Sequence, residues 1–317
     1  MGRLSIVFMG TPELARTSLA ALLAASDFEV VGVVTQPDRP KGRDLNLQPP
    51  PVKELALSQQ IPVIQPERAR APEFLTQLGQ FQPDLIAVAA FGQILPASIL
   101  ELPRYGCLNV HTSLLPKYRG AAPIQWAILN DEPETGVTIM KMDAGMDTGA
   151  IVSQQKTPIS PEDNAQTLHD RLAKMGARLL VQTIPEYVDR KIFPRPQPSE
   201  GASLAPKIKK QDGQIDWTRP ARMIWNRVRG LMPWPGAFTW LPAQGQRQFL
   251  KIWEAEMADD PRPSQPGTIL NADKNGVVVA CGTGALRLLA LQREGGRRLS
   301  AAEFLAGHPL RLRDRLG

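Results

Sequence analysis

Asn109 and His111 alternate with Leu108 and Val110 in the segment Cys107-Leu108-Asn109-Val110-His111, so a strand through it turns both polar side chains to one face. Asp147 follows 36 positions after His111, on the loop Met142-Asp143-Ala144-Gly145-Met146-Asp147-Thr148-Gly149. Gly145 and Gly149 are expected to let that backbone bend toward the other two groups. An amide, an imidazole and a carboxylate that converge suit acyl transfer to an amine. As the amine attacks a carbonyl, oxygen gains negative charge and nitrogen becomes acidic, which calls for hydrogen-bond donors at one and a proton acceptor at the other. Asn109 supplies a donor. An imidazole, with an ordinary pKa of about 6.5, donates or accepts near neutral pH, and Asp147 would bias that choice. No Ser or Cys pairs with His111 as a nucleophile, and Cys107, on the face of Asn109, has no evident base. Direct transfer is therefore favoured over an acyl-enzyme.

Taken singly these residues have blander readings. A His in an apolar run is more often a hydrogen-bonded core residue, and an Asp beside Gly more often closes a turn. Their combination with Ser113-Leu114-Leu115-Pro116 is long and idiosyncratic, and it shifts the balance toward chemistry.

The elements that must position the trio read as alternating strand and helix. Residues 4–9, 29–35, 84–90 and 107–111 are apolar strands. Gly10 turns, Thr11 is placed to cap a helix, Pro12 fits its first position, and Leu14, Leu19, Leu22 and Leu23 give that helix an apolar face. Residues 72–78 and 165–188 read as further helices, with His169 a solvated residue on the second. The economical topology is a Rossmann-like α/β domain with a mainly parallel sheet, whose strand ends deliver Gly10, Phe91-Gly92-Gln93 and Asn109 to Ser113 to one rim. Gly10-Thr11-Pro12-Glu13 lacks the G-x-G-x-x-G pattern and Pro12 removes an amide donor, which argues against a dinucleotide-dependent oxidoreductase.

With 317 residues and 43% hydrophobic content the chain can form two domains. Residues 193–203, with three prolines at alternating positions, read as an extended linker, and the expected division is 1–192, linker 193–206, and 207–317. Short strands at 237–241, 249–254, 267–270, 276–280 and 286–291 point to a smaller β-barrel in the last part. Trp217, Trp234, Trp240 and Trp253 are expected in the core or at a domain interface. Lys and Arg against Asp and Glu number 19 to 21 over residues 1–205 and 18 to 10 over 206–317, so the second part carries net +8. That asymmetry fits a catalytic unit joined to a polyanion-binding one, with a solvated basic surface as the alternative. Lys207, Lys209 and Lys210 form a basic run, Arg222, Arg227 and Arg229 recur near Trp225, and Arg39, Lys41 and Arg43 sit on a proline-stiffened loop able to approach phosphates. Cys107 and Cys281 are expected to be buried free thiols, and no metal site is expected. No apolar run is long enough for a membrane span and no secretory or transit segment stands out, so a cytoplasmic location is expected, or an organelle's matrix or stroma for a eukaryotic chain.

The sequence resembles the folate-dependent formyltransferases, and among them the branch acting on methionyl-tRNA. The resemblance rests on Asn109-Val110-His111, Ser113 to Pro116, Arg119-Gly120-Ala121-Ala122-Pro123 and Met142-Asp143 to Asp147-Thr148-Gly149. It runs from Phe8-Met9-Gly10-Thr11-Pro12-Glu13 through Thr35 to Pro40 to Pro266-Gly267-Thr268-Ile269-Leu270. It implies catalytic roles for Asn109, His111 and Asp147, and folate contacts at Ser113, Leu114, Leu115 and Pro116, with Phe91 and Gly92 nearby. It also implies 10-formyltetrahydrofolate as formyl donor, no metal, and initiator methionyl-tRNA as partner of a monomer. The tRNA would be met by Arg39, Lys41 and Arg43, by Lys207, Lys209 and Lys210, and by an OB-fold-like second domain. Two alternatives remain open: a formyltransferase for a small amine such as an amino sugar, and a non-catalytic tRNA-binding protein.

Overall fold

Ile6, Val7, Phe8 and Met9 are all fully buried in the first strand, β1 (Leu4–Gly10), because a strand covered on both faces carries apolar side chains at successive positions. The computed structural model describes residues 3–41, 46–241, 248–260 and 262–317. After β1 come α1 (Glu13–Ala24), β2 (Phe28–Val34), the hairpin β3 (Arg39–Lys41) and β4 (Asn46–Gln48), α2 (Pro51–Ser58), β5 (Val63–Ile64), α3 (Pro72–Gly79), β6 (Leu85–Ala89), α4 (Ala97–Leu100) and β7 (Cys107–His111). Then follow α5 (Pro123–Leu129), β8 (Glu134–Lys141), β9 (Ala150–Pro158) and α6 (Ala165–Val188). Seven strands form one sheet in the order β5-β2-β1-β6-β7-β8-β9. The ladders from β5 to β7 are parallel and the last two antiparallel, which gives the mainly parallel sheet expected.

Neighbouring β1 and β6 mark where the chain reverses its direction of travel across the sheet, the place where α/β sheets open a crevice at their carboxyl ends. Thr11 does not cap α1: the helix starts after Pro12 with no side-chain cap. Its hydroxyl donates instead to the Phe91 carbonyl at 3.3 Å and accepts from the Gln36 N–H at 3.4 Å, tying together the ends of β1, β2 and β6. On the opposite sheet face α6 presses close to β7, since a Cβ on Gly176 would stand 2.7 Å from Val110 Cγ1.

By its contacts the chain divides into two units, Met1–Pro123, Glu134–Pro158 and His169–Ala205 against Ile124–Pro133, Ile159–Leu168 and Pro206–Gly317. Two short excursions of the N-terminal part thus join the C-terminal one. The second unit holds α7 (Ala221–Gly230), β10 (Ala237–Leu241), β11 (Gln248–Ala258), β12 (Ile269–Asp273), β13 (Gly276–Ala280), β14 (Ala285–Arg293), β15 (Leu299–Ser300) and α8 (Ala301–Gly307). Its sheet runs β10-β11-β14-β13-β12, with β15 on β14, all antiparallel. Ile224 and Val228 of α7, Phe304 of α8 and the inward residues Leu250, Ile252, Val277, Val279, Leu286 and Leu288 form its core. Trp217 is buried there, donating to Thr239, as the core alternative expected, whereas Trp234 is 57% exposed and lies outside the core.

The proline-rich segment is no free tether. Arg195 exchanges both backbone hydrogen bonds with Ile151 at 2.8 Å, and Ser203 and Ala205 pair with Arg119. Prolines lack an N–H, but the residues between and after them keep theirs, so the segment lies along the first unit as an irregular edge. Among the described residues no helix is long and apolar enough to cross a membrane.

Candidate active site

β7 lies between parallel β6 and antiparallel β8, with Asn109 opposite Val88 and Met140 and His111 opposite Thr138. Cys107 packs in the apolar cluster of Val7, Met9, Ile86 and Val88, and Asn109 and His111 continue its face toward the strand's carboxyl end. Burial pushes the Cys107 thiol up to about 12, which leaves it protonated and unreactive near neutral pH.

His111 is 6% exposed, and its Nε2 lies 2.9 Å from the Tyr118 carbonyl oxygen. A carbonyl only accepts, so Nε2 carries the hydrogen and Nδ1 is the nitrogen left for chemistry. Nδ1 faces Asp147 Oδ2 at 3.6 Å, within ion-pair range and too long for a hydrogen bond. The same Oδ2 accepts from the Gly120 N–H at 2.8 Å. The half-buried Asn109 amide has no hydrogen-bond partner among the described residues, so its donors can meet a substrate oxygen.

The Asp147 loop is built differently from the sequence expectation. Its left-handed residue is Asp147 itself, at φ +53°, a region that Asp tolerates better than most side chains. The glycines serve close approach instead: a Cβ on Gly149 would stand 2.0 Å from the Lys141 carbonyl oxygen, and one on Gly145 2.0 Å from Thr148 Oγ1. Asp143 Oδ1 closes the loop by accepting from the Gly145 N–H at 3.0 Å and the Thr148 hydroxyl at 2.7 Å. Gln197 Nε2 donates to the carbonyls of Asp147 at 2.8 Å and Gly149 at 2.7 Å, while its Oε1 accepts from Arg119 Nε and Nη2 at 3.0 and 2.8 Å.

The loop after β7 is anchored from below. Thr138 Oγ1, fully buried, donates to the Ser113 carbonyl at 2.7 Å and accepts from the Leu115 N–H at 3.1 Å. Gln154 Nε2 donates to the Leu115 carbonyl and to Thr138 Oγ1, both at 2.9 Å. Ser113 and Leu115 are themselves buried, Ser113 Oγ donating to the Lys117 carbonyl, whereas Leu114 and Pro116 are part-exposed. The Phe91 ring is buried in the core beside Gly92 at φ +84°, and its carbonyl accepts from Thr11 and Gln36. Sequence reasoning missed Tyr118, Thr138, Gln154 and Gln197. Tyr118 acts through its backbone, which no residue type announces, and the other three are polar residues whose partners lie 16 or more positions away.

Of the cations singled out, Arg39, Lys207, Lys209 and Lys210 are exposed, while Arg43 and the Lys41 side chain lie outside the described residues. The arginines of α7, for which the sequence leaves nucleic-acid contact and a solvated helix face both open, are engaged within the second unit. Arg222 pairs with Asp131 at 2.8 Å, and Arg227 donates to the Asp212 carbonyl. Arg229 is buried, stacks over Trp225, and donates to Asn226, Ser160 and Asp163. No cluster of three metal-ligating side chains occurs among the described residues.

Residues 3–184 match the formyl transferase family, and residues 207–309 match the formyl transferase C-terminal domain. The chain is 51% identical to the methionyl-tRNA formyltransferase of Trichlorobacter lovleyi over 97% of this chain and 95% of that one. It is 47% identical to the methionyl-tRNA formyltransferase of Geobacter sulfurreducens over 100% and 98%. The fold is also that of WlaRD, a sugar 3N-formyl transferase (TM-score 0.66, 21% identity, 91% of this chain and 98% of that). HypX from Aquifex aeolicus in complex with tetrahydrofolic acid shares it too (TM-score 0.61, 15% identity, 96% and 47%). With two domain matches and near full-length relatives around half identical, the chain belongs to the formyltransferase family.

Proposed function

We infer that this protein transfers the formyl group of 10-formyltetrahydrofolate to the free α-amino group of methionine esterified to initiator tRNA, yielding N-formylmethionyl-tRNA for translation initiation. The observation that carries this reading is the meeting of an unpartnered amide, an imidazole with one open nitrogen and a carboxylate beyond the end of β7. The amine nitrogen attacks the formyl carbon, and Asn109 donates to the oxygen that becomes negative. Protonated His111 donates to it from Nδ1, and Asp147 stabilises the imidazolium and receives the amine proton, through water if needed. Collapse of the tetrahedral species breaks the bond from the formyl carbon to N10 of the folate, which leaves with a proton. The buried, protonated Cys107 supports this direct route over an acyl-enzyme.

The half-exposed Leu114 and Pro116, on the segment held by Thr138 and Gln154, together with Gly92, are placed to meet the folate; buried Ser113, Leu115 and Phe91 shape that surface. Residues 1–192 form the catalytic domain, and 207–317, OB-fold-like and basic, engage tRNA with Lys207, Lys209, Lys210, Arg39, Lys41 and Arg43. The protein works as a cytoplasmic monomer. A small-amine acceptor is the second reading, favoured only by the shared fold of WlaRD; the net +8 of residues 206–317 favours the polyanion.

The test is formyl transfer to charged initiator, charged elongator and uncharged initiator tRNA, by wild type, Asn109→Ala and His111→Ala. Transfer to charged initiator tRNA alone, reduced roughly a hundredfold to a thousandfold in either variant, is expected. Transfer to none of the three by the wild type would redirect the search to small amines, and unchanged single-turnover chemistry in both variants would refute the site.

A further inference from the structure

Asp147 occupies a backbone conformation that non-glycine residues adopt in only a few per cent of positions. Its loop offers little to hold it there: residues 143–146 and 148 are exposed, Met146 at 57%, so apolar packing is slight. Hydrogen bonds must do so: Asp143 ties Gly145 and Thr148 on either side, and two further paths reach Asp147 itself. The Gly120 N–H holds its carboxylate, and Gln197 holds its backbone by donating to the carbonyls of Asp147 and Gly149 with one amide nitrogen. Gln197 has a single workable orientation, since two carbonyls require its NH2 and the guanidinium requires its oxygen. Arg119, beside Gly120 in the chain, therefore fixes the amide that fixes the loop. Gln197 comes from the segment that composition marks as a linker, and the Arg195 and Ser203 backbone pairings pin that segment on either side of it.

We propose that Gln197 is a positioning residue for formyl transfer, holding Asp147 at its place beside His111, with Arg119 locking Gln197 in turn. The proposal rests on Asp147 acting in catalysis. Gln197→Glu isolates the interaction, because a carboxylate still accepts from Arg119 but cannot donate to either carbonyl and sets oxygen against oxygen. A misplacement of about 1 Å can lower turnover by about a hundredfold. Gln197→Glu is accordingly expected to lower single-turnover kcat roughly tenfold to a hundredfold, with KM for methionyl-tRNA and for 10-formyltetrahydrofolate within about twofold of wild type. Arg119→Lys, which keeps the charge and loses the two-nitrogen fork, is expected to lower it by less and serves if Gln197→Glu folds poorly.

The deciding measurement is the double-mutant cycle with Asp147→Asn, on full-length protein checked for an unchanged Tm. In the Asp147→Asn background either second substitution is expected to add less than about twofold, because the group being positioned has lost its function. The same factor in both backgrounds marks a merely structural residue and overturns the proposal, as does wild-type turnover by Gln197→Glu and Arg119→Lys. Loss in Asp147→Asn without loss in those variants removes this inference alone. Wild-type turnover by Asp147→Asn overturns the catalytic reading and the role of Gln197 with it.

Discussion

Thr138→Val tests whether the loop after β7 is held by one buried hydroxyl. Valine reproduces the shape of threonine and removes the donor to Ser113 and the acceptor for Leu115 and Gln154. Gln154 keeps its bond to the Leu115 carbonyl, so two backbone groups lose their partners, the Ser113 carbonyl and the Leu115 N–H. A buried polar group left unpaired costs about 1–3 kcal/mol, and a methyl replacing the hydroxyl returns less than about 1 kcal/mol. The net loss is about 1–5 kcal/mol, which a domain of ordinary stability survives. With a urea m-value of about 2 kcal/mol/M, the transition of the first unit moves down by roughly 0.5–2.5 M. Because the same bonds set the backbone of Ser113 to Pro116, KM for 10-formyltetrahydrofolate should rise several-fold while KM for methionyl-tRNA stays near wild type. Thr138→Ser keeps the hydroxyl and is the control, expected within about 1.5 kcal/mol of wild type. Equal midpoints and equal folate KM for the Val and Ser variants would show that the hydroxyl anchors nothing.

Gly149→Ala sets a Cβ against a backbone oxygen that no side-chain rotation can clear, so turnover should fall more than about tenfold through the displaced Asp147 loop; a wild-type rate would show that the loop yields. Cys107 and Cys281, both pushed up to about 12 by burial, should resist iodoacetamide at pH 8 in the folded protein and both react in denaturant. Mass spectrometry reads the count, and fast native labelling would contradict the assigned burial. Asp131 is held below the usual carboxylate range, first by the Arg222 hydrogen bond. A depressed folded pKa stabilises above the unfolded value near 3.9 and that contribution disappears as pH falls through the folded value. The half-exposed pair is worth less than about 1 kcal/mol after solvent screening. Arg222→Met should therefore destabilise by that small amount at pH 7 and progressively less once the pH has fallen below the ordinary carboxylate value of about 3.9, and a penalty independent of pH would point to lost stacking on Trp225 instead.

The parts of this protein that read directly from sequence are those where one strand or helix decides the matter. The alternation of β7 put Asn109 and His111 on one face, and the unbroken apolar run of β1 announced a strand covered on both sides. What stayed hidden depends on register and on chain brought in from afar. Thr138 stands opposite His111 only because β8 pairs antiparallel with β7 in one register, and a shift of one residue would point its hydroxyl away. The alternating prolines read as an extended linker, and what composition does not show is that the residues between them, Arg195 and Gln197, bond to distant chain. The arginines of α7 read from the sequence as either a nucleic-acid contact or a solvated helix face. Their partners Asp131, Ser160 and Asp163 lie in the excursions that join the second unit, 60 or more positions earlier.

The division of labour within the trio follows from which atoms are already committed. Orienting a catalytic His is a task commonly given to a carboxylate on its second nitrogen. Here the Tyr118 carbonyl discharges it by accepting from Nε2, and the peptide of that carbonyl is held in turn where its Arg119 N–H donates to the Ser203 carbonyl, with the Tyr118 N–H donating to Ser203 Oγ. Asp147 is thereby released from orienting the ring. It faces Nδ1 at 3.6 Å, beyond hydrogen-bond length, so the charge on a protonated ring is stabilised without the Nδ1 proton being captured. On the proposed reading such a proton would be available to the substrate oxygen beside the unpartnered Asn109 amide, and the carboxylate would be available to the amine. A shorter bond between Asp147 and His111 would sequester both. The left-handed Asp147, the Gly120 amide and the Gln197 clamp together keep the two groups near each other and apart.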